Sequence, residues 1–257
     1  MTRIIALANQ KGGVGKTTTA INLGASLAAC DRRVLLVDLD PQANATSGLG
    51  LPKNEAKSMY PVLVDGLPLR EIIQPTEIPT LFVAPSSVDL VAAELELGGL
   101  EGREFYLRRA LEGATGDFDY VLIDSPPSLG LLTINGLTAA DSVLVPMQCE
   151  YFAIEGVAQL LNTIERVQAS LNPNLEIEGL ALTMYDERMN LSRQVAEEVR
   201  NHFGEKVYRT VIPRNVRLAE APSFGKPIIL YDIRSRGSEA YVSLAREFIA
   251  RAEHVLA

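Results

Sequence analysis

The sequence has few of the features that mark secreted, zinc-binding or membrane-spanning proteins. Only two cysteines, Cys30 and Cys149, occur among 257 residues, and they lie far apart without C-x-x-C spacing. This argues against a disulfide framework or a zinc knuckle and favours small buried thiols in a reducing compartment. No stretch reaches the roughly 18 apolar residues of a membrane span, and the first apolar run ends before Asn9, too early for a signal peptide. We therefore expect a cytoplasmic protein.

An overall excess of positive charge is also missing. The formal net charge is −8, which by itself argues against a nucleic-acid partner. The charge is unevenly distributed, however, because residues 185–236 carry ten basic and seven acidic side chains. That segment has a charge of +3 and the remainder −11. A basic surface is therefore compatible with the acidic total.

The pattern of apolar residues predicts alternating strands and helices. Hydrophobic residues make up 47% of the chain, and no linker or repeat divides it, so we expect one domain over residues 1–257. Apolar, β-branched runs predict strands at residues 4–8, 34–37, 81–84, 120–123, 142–145, 177–182 and 207–212. Helical spacing predicts helices at residues 17–29, 104–112, 154–171, 192–203 and 238–256. Such strands are typical of a doubly wound α/β fold with a predominantly parallel sheet and helices on both faces.

A glycine-rich run at residues 11–18 leaves the first predicted strand and opens the first predicted helix. Glycines let backbone N–H groups approach an anion near a helix N-terminus, as in a phosphate-binding loop. Lys16 would reach the β- and γ-phosphates of ATP, and the Thr17 hydroxyl would ligate Mg²⁺. An ordinary glycine-rich turn explains neither the Gly-Lys-Thr ending nor the position between strand and helix. The predicted nucleotide-binding residues here are Lys11, Gly12, Gly13, Val14, Gly15, Lys16, Thr17 and Thr18.

This run is a variant of the usual pattern. G-x-x-x-x-G-K-[ST] requires glycine where the sequence has Gln10. A dinucleotide fingerprint also fails, because Thr18 stands in place of its third glycine. Lys11 is an additional positive charge that the general pattern does not require. A second lysine would stabilise γ-phosphate charge, although a solvated loop lysine is the alternative.

Three aspartates follow predicted strands. Asp38 and Asp40 end the second strand, and Asp124 follows the aliphatic run 120–123. Ligands of open α/β sheets collect at this edge. Asp124 is therefore predicted to support Mg²⁺, commonly through water, and Asp38 is a further candidate for the metal shell. The alternative is that these aspartates only end strands or form the turn before Pro41.

The run 11–18 resembles the deviant Walker A motif of the ParA/MinD superfamily. This resemblance implies that Lys11 is a signature lysine that crosses a dimer interface to the ATP of the other copy. It also implies that Asp40 positions the attacking water and that residues 126–130 form switch II. Residues 44–50 would continue switch I, with Ala43 at a place where relatives usually carry glycine.

Further stretches resemble the ParA/Soj partition ATPases, so that the resemblance covers nearly the whole chain. They are residues 149–151 with 155–156, residues 182–184, and residues 211–218 continuing through 220–222 to 225–227. The resemblance places Met184, Pro213 and Asn215 near the adenine. A core methionine and a plain turn remain the alternative interpretation of these three residues.

The same resemblance implies a DNA-partitioning ATPase. Its ATP-bound homodimer would bind double-stranded DNA nonspecifically on the nucleoid, and a ParB/Spo0J-type protein would stimulate hydrolysis. Arg188 and Arg217 match positions that touch the DNA backbone, and arginine suits phosphate contacts. Exposed surface salt bridges are the alternative role for both arginines.

A MinD-like ATPase that positions a partner at the membrane is the rival interpretation. MinD-like proteins end in a basic amphipathic helix. Here the predicted helix 238–256 has only Arg246 and Arg251 as basic residues, offset by three glutamates. A membrane-surface helix needs lysine and arginine on its polar face, so packing on the sheet is the better prediction and no membrane partner is expected.

Overall fold

Seven strands form one sheet in the computed structural model, which describes residues 2–151 and 153–255. The strand order is β3-β4-β2-β5-β1-β6-β7, and every neighbouring pair is parallel except β3 with β4. The strands are β1 (Arg3–Leu7), β2 (Val34–Asp38), β3 (Gln74–Pro75), β4 (Leu81–Ala84), β5 (Tyr120–Asp124), β6 (Ser142–Gln148) and β7 (Glu176–Thr183).

Helices connect the strands and cover the sheet. The first six are α1 (Lys16–Ala28), α2 (Asn44–Gly48), α3 (Met59–Val64), α4 (Leu90–Leu97), α5 (Tyr106–Leu111) and α6 (Leu131–Ala139). The others are α7 (Ala153–Ser170), α8 (Asn190–Phe203), α9 (Val216–Glu220), α10 (Ile228–Tyr231) and α11 (Arg236–Val255).

The sheet separates two hydrophobic cores, because successive side chains of a strand point to opposite faces. In β2, Leu35 and Val37 pack with α3 to α8, whereas Val34 and Leu36 pack with α1, α2 and α9 to α11. Both faces of the central strands are therefore buried, which accounts for their continuous apolar runs. The predicted doubly wound α/β fold is confirmed.

The strand predicted at residues 207–212 is wrong. This segment runs beside β7, where the Tyr208 backbone N–H donates to the Leu180 carbonyl oxygen over 2.9 Å. The next two backbone N–H groups instead donate to the Glu247 carboxylate on α11, over 2.8 and 2.9 Å. These two N–H groups are therefore not available to extend the hydrogen-bond ladder with β7. The segment accordingly forms isolated β-bridges instead of a strand.

The C-terminal helix α11 packs on the sheet, as predicted, and it also packs on α1. Tyr241, Leu244 and Phe248 are fully buried, and the Phe248 ring meets Tyr120 edge to face with centroids 5.4 Å apart. The predicted end of this helix, Leu256, lies outside the described residues. Across the described part of the chain, no helix combines the length and apolar character needed to cross a bilayer.

The two cysteines differ in burial. Cys149 is buried, and burial raises the pKa of its thiol to about 11. Cys30 lies just after α1 and is only half-buried, so the expectation of a buried thiol is wrong for this residue. Both are free thiols.

Candidate nucleotide-binding site

A cavity of about 650 Å³ opens beside the carboxyl ends of the parallel strands. The predicted residues that line it are Gly13, Gly15, Lys16, Thr17, Thr18, Asp40, Met184, Pro213 and Asn215. Lys11, Gly12, Val14, Asp38 and Asp124 are not in direct contact with this space. The lining also includes Asn44 and Pro127, from the stretches expected to form switch I and switch II, and Thr183, from a stretch that resembles the ParA/Soj ATPases. Gln42 and Tyr241 line it as well, and sequence reasoning gave these two residues no role in the site.

The loop from β1 to α1 has the backbone shape of a phosphate cradle. Gly13 and Gly15 have φ values of +75° and +85°, a left-handed conformation that favours glycine. Gly15 precedes the first residue of α1, so the helix N-terminus faces the loop. The Thr183 hydroxyl on β7 donates to the Val14 carbonyl oxygen over 2.7 Å and holds the loop in place. Val14 itself is buried.

Lys16 is the buried cation of this site. Among the residues that the structure describes, its ammonium group has one long hydrogen bond, to the Lys11 carbonyl oxygen at 3.3 Å. Burial lowers the pKa of Lys16, while Asp124 and Asp40 oppose the shift. A phosphate group would replace the weak carbonyl contact with a charged partner.

Asp124 ends β5 as a fully buried carboxylate. Both of its oxygens lack a hydrogen-bond partner among the described residues. Burial first, and then the neighbouring Asp38, raises the pKa of Asp124 well above its ordinary value. The nearby Thr17 hydroxyl opposes this shift. A buried carboxylate in this condition is destabilising unless a cation pairs with it.

Asp38 lies beside Asp124 in strand register but has a different environment. Its carboxylate accepts hydrogen bonds from the Thr46 backbone N–H at 2.8 Å and the Thr46 hydroxyl at 2.7 Å. It also accepts one from the Asp40 backbone N–H at 3.2 Å. Burial raises the pKa of Asp38 to about 6, against the effect of these bonds. Asp38 therefore anchors residues 40–46, and direct metal ligation would compete with those bonds.

Asp40 presents its side chain at the cavity wall. One carboxylate oxygen accepts a hydrogen bond from the Gln42 backbone N–H at 2.9 Å, and the Asp40 carbonyl accepts one from the Ser86 hydroxyl at 2.7 Å. Ala43 follows with a φ of +51°. This left-handed backbone explains why glycine suits that position.

The acidic residues fit Mg²⁺ held together with phosphate. No group of three or more His, Cys, Asp or Glu side chains within residues 2–151 and 153–255 is arranged to hold a metal alone. Mg²⁺ is usually bound through one or two carboxylates, substrate phosphates and water. The unpartnered Asp124 carboxylate beside the Thr17 hydroxyl supplies what such a site needs from the protein.

Lys11 is ion-paired outside the cavity. Its ammonium group donates to the Glu150 carboxylate over 2.6 Å, and both side chains are partly exposed. Its backbone N–H donates to the Asn9 side-chain oxygen over 3.0 Å. Glu150 is a contact that sequence reasoning did not predict, since it lies 139 residues away.

The three residues predicted to lie near the adenine are on two segments joined by backbone hydrogen bonds. They are Met184, Pro213 and Asn215. The Tyr185 N–H donates to the Ile212 carbonyl at 2.9 Å, and the Arg214 N–H donates to the Tyr185 carbonyl at 3.1 Å. Met184 directly follows β7 and has a φ of +47°, an uncommon conformation for a non-glycine residue. The Asn215 side-chain oxygen accepts the Arg217 backbone N–H over 2.8 Å, which caps α9.

The two predicted DNA-contacting arginines are exposed but paired within the chain. Arg188 donates to both oxygens of Asp186, over 2.9 and 2.7 Å. These bonds hold the pKa of Asp186 well below its usual range. Arg217 pairs with Glu220 at 2.9 Å and with Asp232 at 3.5 Å.

This fold and loop define a P-loop nucleotide-binding protein. The family model described as an AAA domain matches residues 2–177. The chromosome partitioning protein ParA of Caulobacter vibrioides is 58% identical over 252 residues, 97% of this chain and 94% of the relative. The sporulation initiation inhibitor protein Soj of Bacillus subtilis is 59% identical over 251 residues, with 97% and 99% covered.

Solved structures agree with this assignment. The structure of cobyrinic acid a,c-diamide synthase from Mycobacterium smegmatis, with bound ADP and magnesium, is 42% identical with a TM-score of 0.83. That match covers 96% of this chain and 93% of the other. The chain belongs to the ParA/Soj family of partitioning ATPases. It is an ATP hydrolase that uses ATP and Mg²⁺.

Proposed function

We propose that this ATPase is a nucleotide-gated DNA-binding switch that partitions chromosomes or plasmids. Two copies close around two ATP molecules and bind double-stranded DNA nonspecifically. A ParB/Spo0J-type protein then stimulates hydrolysis, and the copies leave the DNA. The protein would accordingly be found in the cytoplasm, on the nucleoid.

One observation carries the link between nucleotide and DNA. The backbone bonds of Tyr185 to residues 212 and 214 join the segments that bear Met184 and Pro213 at the cavity. The same two segments continue directly to Arg188 and Arg217. A shift of either segment on nucleotide binding would therefore move an arginine that faces solvent.

At the phosphate end, each residue has a proposed role. Lys16 and the N–H groups of the loop hold the phosphates, while Thr17 and Asp124 hold Mg²⁺, with Asp38 beside them. Bound Mg²⁺ would neutralise charge on the phosphate oxygens. Asp40 orients the attacking water from the cavity wall. Lys11 would leave Glu150 and reach the phosphates of the other copy.

The gating follows from the number of phosphate contacts. In one copy, Arg188 and Arg217 are already paired with acidic side chains, so binding is weak. Two copies held together by ATP double the contacts, and the second set binds at a high effective concentration. Such binding is independent of base sequence and falls steeply with salt.

Measuring DNA affinity with and without ATP tests this proposal. We expect ATP to raise the affinity, added salt to reduce it, and Arg217→Ala to weaken the ATP-dependent part about fivefold. The control is Arg108→Ala, which removes an exposed arginine on α5. Equal affinity with and without ATP contradicts the gated mechanism.

The structure gives no support to the membrane-targeted rival. Helix α11 contains three arginines, Arg236, Arg246 and Arg251. Of these, Arg251 donates to the Val207 carbonyl over 2.9 Å and lies over the Tyr208 ring at 3.9 Å. A residue engaged in this way does not contribute to a basic membrane-facing surface. ATP-dependent sedimentation with anionic liposomes would reverse this ranking.

A further inference from the structure

Helix α4 carries an exposed apolar stripe on the side opposite its buried face. Leu90, Ala93 and Leu97 are in the core. In contrast, Val88 is 61% exposed, Val91 57% and Leu95 81%. These three residues follow helical spacing, and hydrogen bonds from residues 90–92 to residues 87–89 extend the helical turn back to Val88. We call Val88, Val91 and Leu95 the α4 stripe.

The segment that carries the α4 stripe is rich in acidic residues. Within residues 88–104, Arg103 is the only basic residue, and the acidic residues are Asp89, Glu94, Glu96, Glu101 and Glu104. This charge of −4 repels DNA and anionic lipid. An amphipathic helix with an apolar face and basic flanks complements both properties of this surface.

Helix α4, which carries the α4 stripe, contacts the loop that follows Asp124 through Glu94. The Glu94 carboxylate accepts a hydrogen bond from the Leu132 backbone N–H at 3.3 Å, at the start of α6. Glu94 also packs so closely over Gly130 that a Cβ atom there would collide with its carboxylate. Residues 125–130 span the distance between this contact and the carboxylate proposed to hold Mg²⁺.

We propose that the α4 stripe is the docking site for a basic amphipathic helix of the stimulating partner. Docking would shift α4 and, through Glu94 and Gly130, the loop after Asp124. This inference rests on the proposed function, in which a partner protein stimulates hydrolysis.

The first test measures binding with a synthetic probe. The probe is a fluorescent peptide of about 15 residues, with leucine at helical spacing and lysine elsewhere. We expect Leu95→Gln and Val91→Gln to raise its Kd about tenfold, because they remove apolar contacts without adding charge. The control, Ile233→Gln, removes an apolar residue that is 66% exposed between α10 and α11, and should leave the Kd unchanged. Equal binding of a peptide with the same composition in scrambled order overturns the proposal.

The second test uses the full-length ParB-type protein and the complete chain. We expect Leu95→Gln to keep the basal ATPase rate and to lose most of the stimulation. Glu94→Gln should keep peptide binding and reduce stimulation, because the neutral amide holds the Leu132 N–H less strongly. Equal stimulation of the wild type and Leu95→Gln refutes docking at the α4 stripe. An unstimulated wild type would instead contradict the proposed function.

A second copy of the chain is the competing occupant. If Leu95→Gln abolishes ATP-dependent dimerisation in light scattering and leaves peptide affinity unchanged, the α4 stripe is a self-interface and the proposal is wrong. If dimerisation is unchanged and peptide affinity falls, docking of a partner helix is supported.

Discussion

The phosphate end of the cavity differs from the arginine surface, the exposed region that carries Arg188 and Arg217, in how its charged groups are paired. At the phosphate end, within residues 2–151 and 153–255, Asp124 is buried without a hydrogen-bond partner and the Lys16 ammonium group has only one long contact. On the surface, Arg188 and Arg217 are exposed and already ion-paired. Buried charges without partners are costly and make a site dependent on its ligand, whereas exposed pairs cost little and exchange readily.

The largest effect is expected from removing the buried cation. Lys16→Ala should reduce the ATPase rate about 100- to 1,000-fold, because no other described cation is buried at the phosphate loop. Steady-state ATPase measurements check this. The matched control is Lys206→Ala, an exposed lysine outside the cavity, which should retain the wild-type rate. Similar rates in the two variants would show that Lys16 is not the phosphate-binding lysine.

Asp40→Ala is expected to have the next largest effect. Turnover should fall about 100-fold while ATP binding remains, since the carboxylate is proposed to orient water and not to hold phosphate. Single-turnover hydrolysis and nucleotide-binding assays separate the two quantities. DNA-bound dimers should then persist and fail to segregate DNA. Intact segregation would indicate a binding switch in which turnover is incidental.

The two neighbouring aspartates should respond differently to loss of charge. Asp124→Asn removes an unpartnered buried carboxylate, so the ligand-free protein should gain about 1 kcal/mol of unfolding free energy. Asp38→Asn replaces an acceptor of three hydrogen bonds and should lose about 1 to 3 kcal/mol. Denaturant unfolding measures both. A loss of stability in Asp124→Asn would contradict the description of this carboxylate.

The raised pKa of Asp124 predicts that the free energy of unfolding depends on pH. Burial raises the pKa of Asp124 in the folded state, so its contribution to stability is complete below the unfolded pKa and is lost as pH rises through the folded pKa. The advantage of Asp124→Asn over the wild type should therefore grow above about pH 4, by at most about 1.4 kcal/mol per pH unit. Unfolding series at several pH values, without Mg²⁺ or nucleotide, measure the difference. A constant difference would mean that the pKa is not raised.

The phosphate end could be predicted because its signals are local. The loop, the strand before it and the helix after it are contiguous in sequence, and Asp124 directly follows an aliphatic run. The contacts that hold these residues could not be predicted. Thr183 bonds to Val14 across 169 residues, and no local pattern connects them. The strand predicted at residues 207–212 failed for the same reason, since a distant glutamate takes its donors.

The arginine surface was harder to predict, since exposure and pairing depend on the folded conformation. The sequence shows Arg217 three residues before Glu220, but not that α9 brings the two together or that Asp232 joins them. Charge counting alone describes residues 185–236 as basic. The structure shows that part of this charge is compensated within the segment, which limits the affinity expected of one copy.

The smallest predicted effect comes from removing an acidic side chain that pairs with Arg217. Glu220→Gln should free Arg217 and remove one negative charge, raising ATP-dependent DNA affinity about two- to fivefold. Fluorescence anisotropy with labelled duplex DNA at low salt measures the change. The control is Glu165→Gln on α7, which removes the same charge from an exposed position in another helix. An equal gain in both variants would attribute the effect to net charge, whereas a gain only in Glu220→Gln would show that the ion pair restrains Arg217.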